Sequence, residues 1–374
     1  MATASMSATA PRRVALLRMA AQRLLGERFA TASDAVDWLT CVQAQDFGGA
    51  MTSVALRVRD GSRHTVEAAL DSGAVVRSWP MRGTLHLVPA LELRWLLDLG
   101  APRIVAGTAK RRRDLGISDA DIDIVRASTQ EALSGGVALE RAELLSRWNA
   151  SGQPTSGQRG SHLVSYLSMT GVICHGPVRD GRQCIVLVDE WVPAARRLGH
   201  DLDREQALGE WALRYFRSHG PATVKDFAWW TKLLAADIKT AVALARPGLE
   251  SLHVDGDEHL MDPATPDRLA AAGRESGRVT LLPGFDEFVL GYADRSAALA
   301  AEFAARVCPG GNGMFLGSVV DGGRIVGTWR RTGSQRRRRI EATPFAAFPH
   351  RVQAALPRAG AALERAATEE QPER

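Results

Sequence analysis

At 374 residues the chain is longer than one small core organises, so roughly two to four structural units are expected. Hydrophobic residues make up 45% and charged residues 24%, which excludes a disordered or low-complexity chain. Forty-seven Lys and Arg against 42 Asp and Glu leave a net charge of +5, a surplus that permits a polyanionic partner without requiring one.

Cys41, Cys174, Cys184 and Cys308 lack Cys-x-x-Cys or Cys/His ligand spacing. Neither a zinc module nor a disulfide framework is indicated; no metal and no cofactor are expected, and a reducing cytoplasm is the expected compartment. No apolar run approaches the roughly 18 residues of a membrane span, so no membrane is expected as a partner. Residues 1–13 are small, polar and Arg-containing with no apolar signal core after them. They read as a frayed tail rather than a transit peptide.

In chain order, Val14, Leu17, Ala21, Leu24 and Leu25 recur at helical spacing and predict an amphipathic first helix. A second helix follows Ser33, with a stripe of Val36, Leu39 and Val42 leading into Gln43-Ala44-Gln45, and Gly48-Gly49 ends the regular pattern. Apolar runs Val54 to Val58 and Val66 to Leu70 precede the alternation Thr84 to Val88. Two or three helices followed by a short hairpin are the pattern of a winged-helix module.

The pattern returns without sequence identity, which argues for tandem modules rather than a fixed-period solenoid. Ser118 with Asp121 caps a helix to Leu133; Leu139 to Trp148 and Ser161 to Met169 follow, and Val172 to Cys174 with Cys184 to Val188 form a wing around Arg179-Asp180-Gly181-Arg182. A third copy runs from Glu205 to Arg217, restarts at the capping box Thr223-x-x-Asp226, continues through Ala236 to Ala245 and closes with a hairpin at Asp255-Gly256. From Val279 to Phe345 the chain has β character, and Val352 opens a closing helix. The expected fold is mainly α with β-hairpins, divided as modules over 1–110, 111–200 and 201–265 and a β-rich unit with the last helix over 266–374.

Four segments carry a family resemblance: Val42-Gln43-Ala44-Gln45, Arg82 to Val88, Leu281-Leu282-Pro283-Gly284-Phe285-Asp286-Glu287-Phe288, and Gly327-Thr328-Trp329-Arg330-Arg331. In this order they resemble the AlkZ-like winged-helix DNA glycosylases, in the broader group that includes YcaQ-type enzymes. The resemblance implies three winged-helix modules in a C-shaped arrangement with a barrel-like β piece. It implies that Gln43 and Gln45 are the catalytic pair. The resemblance implies N7-alkylated purines as substrates, and glutamine rather than aspartate at the second position leans them toward bulky natural-product adducts or interstrand crosslinks, with self-resistance as the setting. Double-stranded DNA carrying such purines is the implied partner, and a monomer is expected.

The chemistry agrees with two neutral amides. Residues two apart on a helix point about 200° apart but share a face in an extended segment, so both glutamines serve one site only where the helix has ended. An N7-alkylguanine is already cationic, so it departs as a neutral base and needs no general acid. What remains is to orient a water toward C1′ and to stabilise the sugar cation, and a glutamine carbonyl can hold that water. The competing reading is that Gln43 and Gln45 cap a helix end.

His86 lies between Leu85 and Leu87 on a predicted strand and is expected to face away from them, toward DNA or the lesion, with Arg82 nearby. Asp286 and Glu287 are neighbours whose side chains diverge; one could stabilise the cation, and salt bridging inside the fold is the plainer reading. Arg179 and Arg182 on the second wing, and Arg330, Arg331, Arg336, Arg337, Arg338 and Arg339 on late hairpins, suit phosphate contacts. Trp229-Trp230 shares helical spacing with Phe227 and reads as core. Two other functions use the same scaffold: a dimeric transcription regulator without chemistry, and a binder that shields modified DNA without releasing a base.

Overall fold

A computed structural model describes residues 11–311, 313–333 and 339–368. The chain forms two compact units: the first gathers Met1–Val66, Leu208–Trp230 and Leu234–Arg374, the second Glu67–Ala207 with Thr231–Leu233. No described helix is long and apolar enough to cross a membrane.

One succession of elements occurs three times: a helix, a short extended piece, two further helices and a hairpin. It runs first through Ala32–Leu39, Val42–Gln43, Phe47–Ala55, Arg63–Asp71 and the strands Val75–Met81 and Thr84–Pro89. It runs next through Asp119–Leu133, Leu139–Glu140, Arg141–Ala150, Arg159–Met169, Ile173–Arg179 and Arg182–Leu187. The third comprises Arg204–His219, a bridge from Ala222 to Leu260, Val224–Thr231, Ala235–Ala245, Glu250–Val254 and Asp257–Met261. Each hairpin closes on two residues of positive φ, Arg82-Gly83 (58° and 68°), Asp180-Gly181 (48° and 72°) and Asp255-Gly256 (50° and 90°). Two left-handed residues give a turn whose twist matches that of the flanking strands, which is why glycine takes the second position each time.

In the second unit the strands lie in the order Thr84–Pro89, Val75–Met81, Ile173–Arg179, Arg182–Leu187, Leu139–Glu140, all antiparallel. The helices of its second succession bury Val125, Leu133, Leu144, Trp148, Leu163 and Leu167 against Ile173 and Ile185. The first of them begins at the capping box expected from the sequence: Asp121 N–H donates to Ser118 Oγ at 3.2 Å and Ser118 N–H to the Asp121 carboxylate at 2.8 Å.

In the first unit an antiparallel sheet runs in the order Arg339–Pro344, Arg324–Thr332, Gly317–Asp321, Val279–Leu282. Period-two alternation gives both faces apolar side chains. Leu281 and Val319 meet Val352 and Leu363 of the helix His350–Ala367, while Leu282 and Val320 join Val14 and Met19 of the helix Pro11–Ala21. Among the described residues the sheet is open rather than barrel-like, because a helix covers each face and the outermost strands do not pair with each other. Strand Val279–Leu282 leads directly to the loop and short helix Glu287–Leu290, and this places the carboxylates of the site.

Candidate active site

The helix Ala32–Leu39 stops at Thr40, whose φ of 65° ends helical geometry while its N–H donates to the Val36 and Asp37 carbonyls. The chain then runs extended through Val42–Gln43. A new helix, Phe47–Ala55, starts at Asp46, whose carboxylate accepts from Gly49 N–H at 3.1 Å. The glutamine pair therefore lies between helices, the condition under which residues two apart can share a site. The expected break at Gly48-Gly49 is corrected: both glycines lie inside the second helix. A Cβ at Gly49 would come within 2.6 Å of the Asp46 carboxylate and displace that cap.

Ala44 is fully buried, Gln43 is 8% exposed and Gln45 is open to solvent. The main chain of Gln43 is tied down from below: its N–H donates to Glu287 Oε1 at 2.9 Å. Glu287, wholly buried, also accepts from Trp230 Nε1 at 3.0 Å and lies 3.4 Å from His219 Nε2.

Asp286 does separate work. Its carboxylate takes both guanidinium nitrogens of Arg57 at 2.9 Å and the Ser53 hydroxyl at 2.6 Å, and it caps the short helix through Phe288 N–H at 2.9 Å. Asp286 and Arg57 are both fully buried. Arg57 further donates to Gln22 Oε1 at 2.7 Å and to the Ser53 carbonyl at 2.9 Å. Asp286 is thus a bidentate ion-pair partner inside the fold, not a group presented to a sugar cation. It diverges from Glu287 because the segment is a turn into a helix, with Phe285 at φ 64°.

Beneath these carboxylates lie Tyr215 and Tyr292. Burial pushes both phenols up, aided for Tyr215 by the nearby Asp226 carboxylate. They remain neutral donors near neutral pH, to the Gly291 carbonyl at 2.8 Å and the His219 carbonyl at 2.8 Å.

The other sequence candidates lie elsewhere. His86, in the second unit, is fully buried, with Nδ1 2.8 Å from the Thr84 carbonyl and Nε2 3.0 Å from Arg82. It does not present itself on an open face, because His86 and Val88 are covered as completely as Leu85 and Leu87; alternation signals exposure only where one face of a sheet is bare. Arg82, half-buried, forms the tip of that hairpin.

Arg179 and Arg182 flank the Asp180-Gly181 turn; Arg182 pairs with Glu140 at 3.1 Å and Arg179 donates to the Ala138 carbonyl at 3.0 Å. Arg330 pairs with Glu341 at 2.9 Å and Arg331 with Glu364 at 3.0 Å. Arg339 is exposed at the start of its strand, and Arg336, Arg337 and Arg338 lie outside the described residues. Exposed pairs of this kind are worth little to stability, so a phosphate can replace the carboxylate at small cost. Trp230 is core as expected, and Arg295 lies 5.0 Å above the Trp229 ring. Sequence reading misses Arg57 as a buried cation and the tie from Gln43 to Glu287; the adjacent Asp-Glu pair is the only signal it offers for either.

The family model for "DNA glycosylase AlkZ-like" matches residues 36–366. An interstrand DNA cross-link repair glycosylase of Streptomyces sahachiroi is 28% identical over 347 residues, 89% of this chain and 90% of that protein. The solved structure of the Streptomyces sahachiroi DNA glycosylase AlkZ superposes with a TM-score of 0.77 at 26% identity, covering 98% of this chain and 100% of the other. The chain belongs to the AlkZ-like DNA glycosylase family. It is an enzyme of DNA repair, a hydrolase acting on N-glycosyl bonds.

Proposed function

We propose that this glycosylase hydrolyses the N-glycosidic bond of N7-alkylated purines in duplex DNA, including bulky natural-product adducts and interstrand crosslinks, with Gln43 and Gln45 as its catalytic pair. The observation that supports this most directly is the interrupted helix: Thr40 ends one helix and Asp46 starts the next, leaving Gln43-Ala44-Gln45 between them. In the reaction the two amides hold a water toward C1′ while the cationic base departs neutral. Unmodified purines, which must be protonated to leave, are poor substrates on this reading.

The crosslink assignment draws on the relative's repair role, and self-resistance to a DNA-alkylating product is the setting we infer for it. The three successions of helices and hairpin are read as winged-helix modules that grip DNA as a monomer in the cytoplasm. The test is mass-spectrometric identification of the base released from alkylated duplex: a free N7-alkylpurine supports the reading, and binding that shields the duplex with no base released overturns it.

The exposed arginines supply the electrostatic part of this grip, with Arg179 and Arg182 on a wing and Arg330, Arg331 and Arg339 on the late strands. Changing Arg330, Arg331 and Arg339 together to glutamine is expected to lower the slope of log Kd against log salt by about 0.9 for each phosphate that is no longer neutralised. A titration series in salt measures it. An unaltered slope removes these strands from the interface.

A further inference from the structure

We propose that Glu287 is a positioning residue for base excision: its buried carboxylate holds the main chain of Gln43, and through it the glutamine pair, in working register. The proposal rests on the assignment of Gln43 as a catalytic group. Three separate parts of the first unit converge on this one carboxylate: Gln43 N–H at 2.9 Å, Trp230 Nε1 at 3.0 Å, and His219 Nε2 at 3.4 Å. The first touches the reactive segment; the other two fix where the carboxylate stands.

His219 is itself held. Its Nδ1 lies 2.8 Å from Ser218 Oγ, and its ring stacks on Tyr215 with centroids 4.8 Å apart. Gly291 stands against the ring edge, where a Cβ would come within 2.5 Å of the imidazole Cδ2. A hydrogen bond to Glu287 requires a proton on Nε2.

A carboxylate at zero exposure is costly to bury, and apolar packing would serve stability alone as well or better. The start of the short helix is already secured by Asp286 and Arg57, two fully buried partners. What Glu287 adds is a fixed acceptor directly under the strand that carries the motif. The strand Val42–Gln43 is only two residues long, so each hydrogen bond to its main chain bears on its register. A displacement of about 1 Å in a water-positioning group is enough to cost catalysis about 100-fold, so an anchor at this point acts on rate.

The experiment uses the full chain and a duplex oligonucleotide carrying a single N7-methylguanine under single-turnover conditions. Glu287→Gln turns one acceptor oxygen into an amide that faces other donors. It is expected to slow excision at least about tenfold while duplex affinity stays within about threefold. Hydrogen exchange of the peptide spanning 42–47 should accelerate in the same variant, a readout that does not depend on activity. Because Glu287 acts through the glutamine pair, adding Glu287→Gln to the variant Gln43→Ala/Gln45→Ala should slow excision no further, whereas a general loss of fold would multiply the effects.

Glu287→Asp keeps the charge but withdraws it by one methylene; it should shift rate and exchange in the same direction, and it carries the comparison if the glutamine variant does not fold. Unchanged exchange at 42–47, or rate losses that multiply, overturns the proposal. A wild-type rate in Gln43→Ala overturns instead the catalytic assignment it rests on, and the exchange measurement still decides whether Glu287 holds the strand.

Discussion

Replacing Gln43 or Gln45 with alanine is expected to slow release of N7-methylguanine by about 10- to 1000-fold, the scale of a missing positioning or polar group rather than a missing nucleophile. Affinity for the modified duplex should move far less, because orienting a water stabilises the transition state and not the ground-state complex. Ala44, between them, is fully buried, so the segment is anchored at its centre and the substitutions alter only the amides. A covalent route through a lysine differs in its products: it leaves an imine that borohydride traps as a protein–DNA adduct, and no trapped complex is expected here. Single-turnover excision run beside a binding titration of the same variants measures the split. If the double variant excises at the wild-type rate, the catalytic assignment is wrong.

The local parts of this fold are legible in the sequence because local chemistry decides them. Ser118 with Asp121 and Thr223 with Asp226 have the spacing of capping boxes, and both close as such; Thr223 N–H reaches the Asp226 carboxylate at 2.9 Å. The Asp-Gly turns at 180–181 and 255–256 sit at the hairpin tips for the same reason, since glycine relieves the second positive φ. The departures follow from contacts distant in sequence. Nothing about Thr40 announces a φ of 65°; that value records where the following strand must go. His86 is misjudged from its sequence because alternation does not reveal that a sheet is covered on both faces. Arg57 looks like any arginine until Asp286, 229 positions away, is brought beside it.

That last contact carries the largest expected effect on stability. Asp286→Ala would leave Arg57, fully buried, with its charge uncompensated, and removing one member of such a pair typically costs about 3–5 kcal/mol. For a cooperative unit of roughly 150–250 residues, each kcal/mol corresponds to about 2–4 °C in Tm, so a fall on the order of 10 °C is expected in thermal unfolding. Asp286→Asn keeps the cap on Phe288 N–H, now 2.9 Å from the carboxylate, but it loses the charge and should fall between wild type and the alanine variant. The double variant Arg57→Met/Asp286→Leu removes both charges and should recover much of the loss, because the cost lies in the unpaired ion rather than in the absent pair. Excision should fail in a graded way along the same series, since the helix that Asp286 caps begins at Glu287, whose carboxylate holds Gln43. A melting temperature of Asp286→Ala within about 2 °C of wild type, less than about 1 kcal/mol on the same scale, would mean that the buried pair does not hold this helix in place.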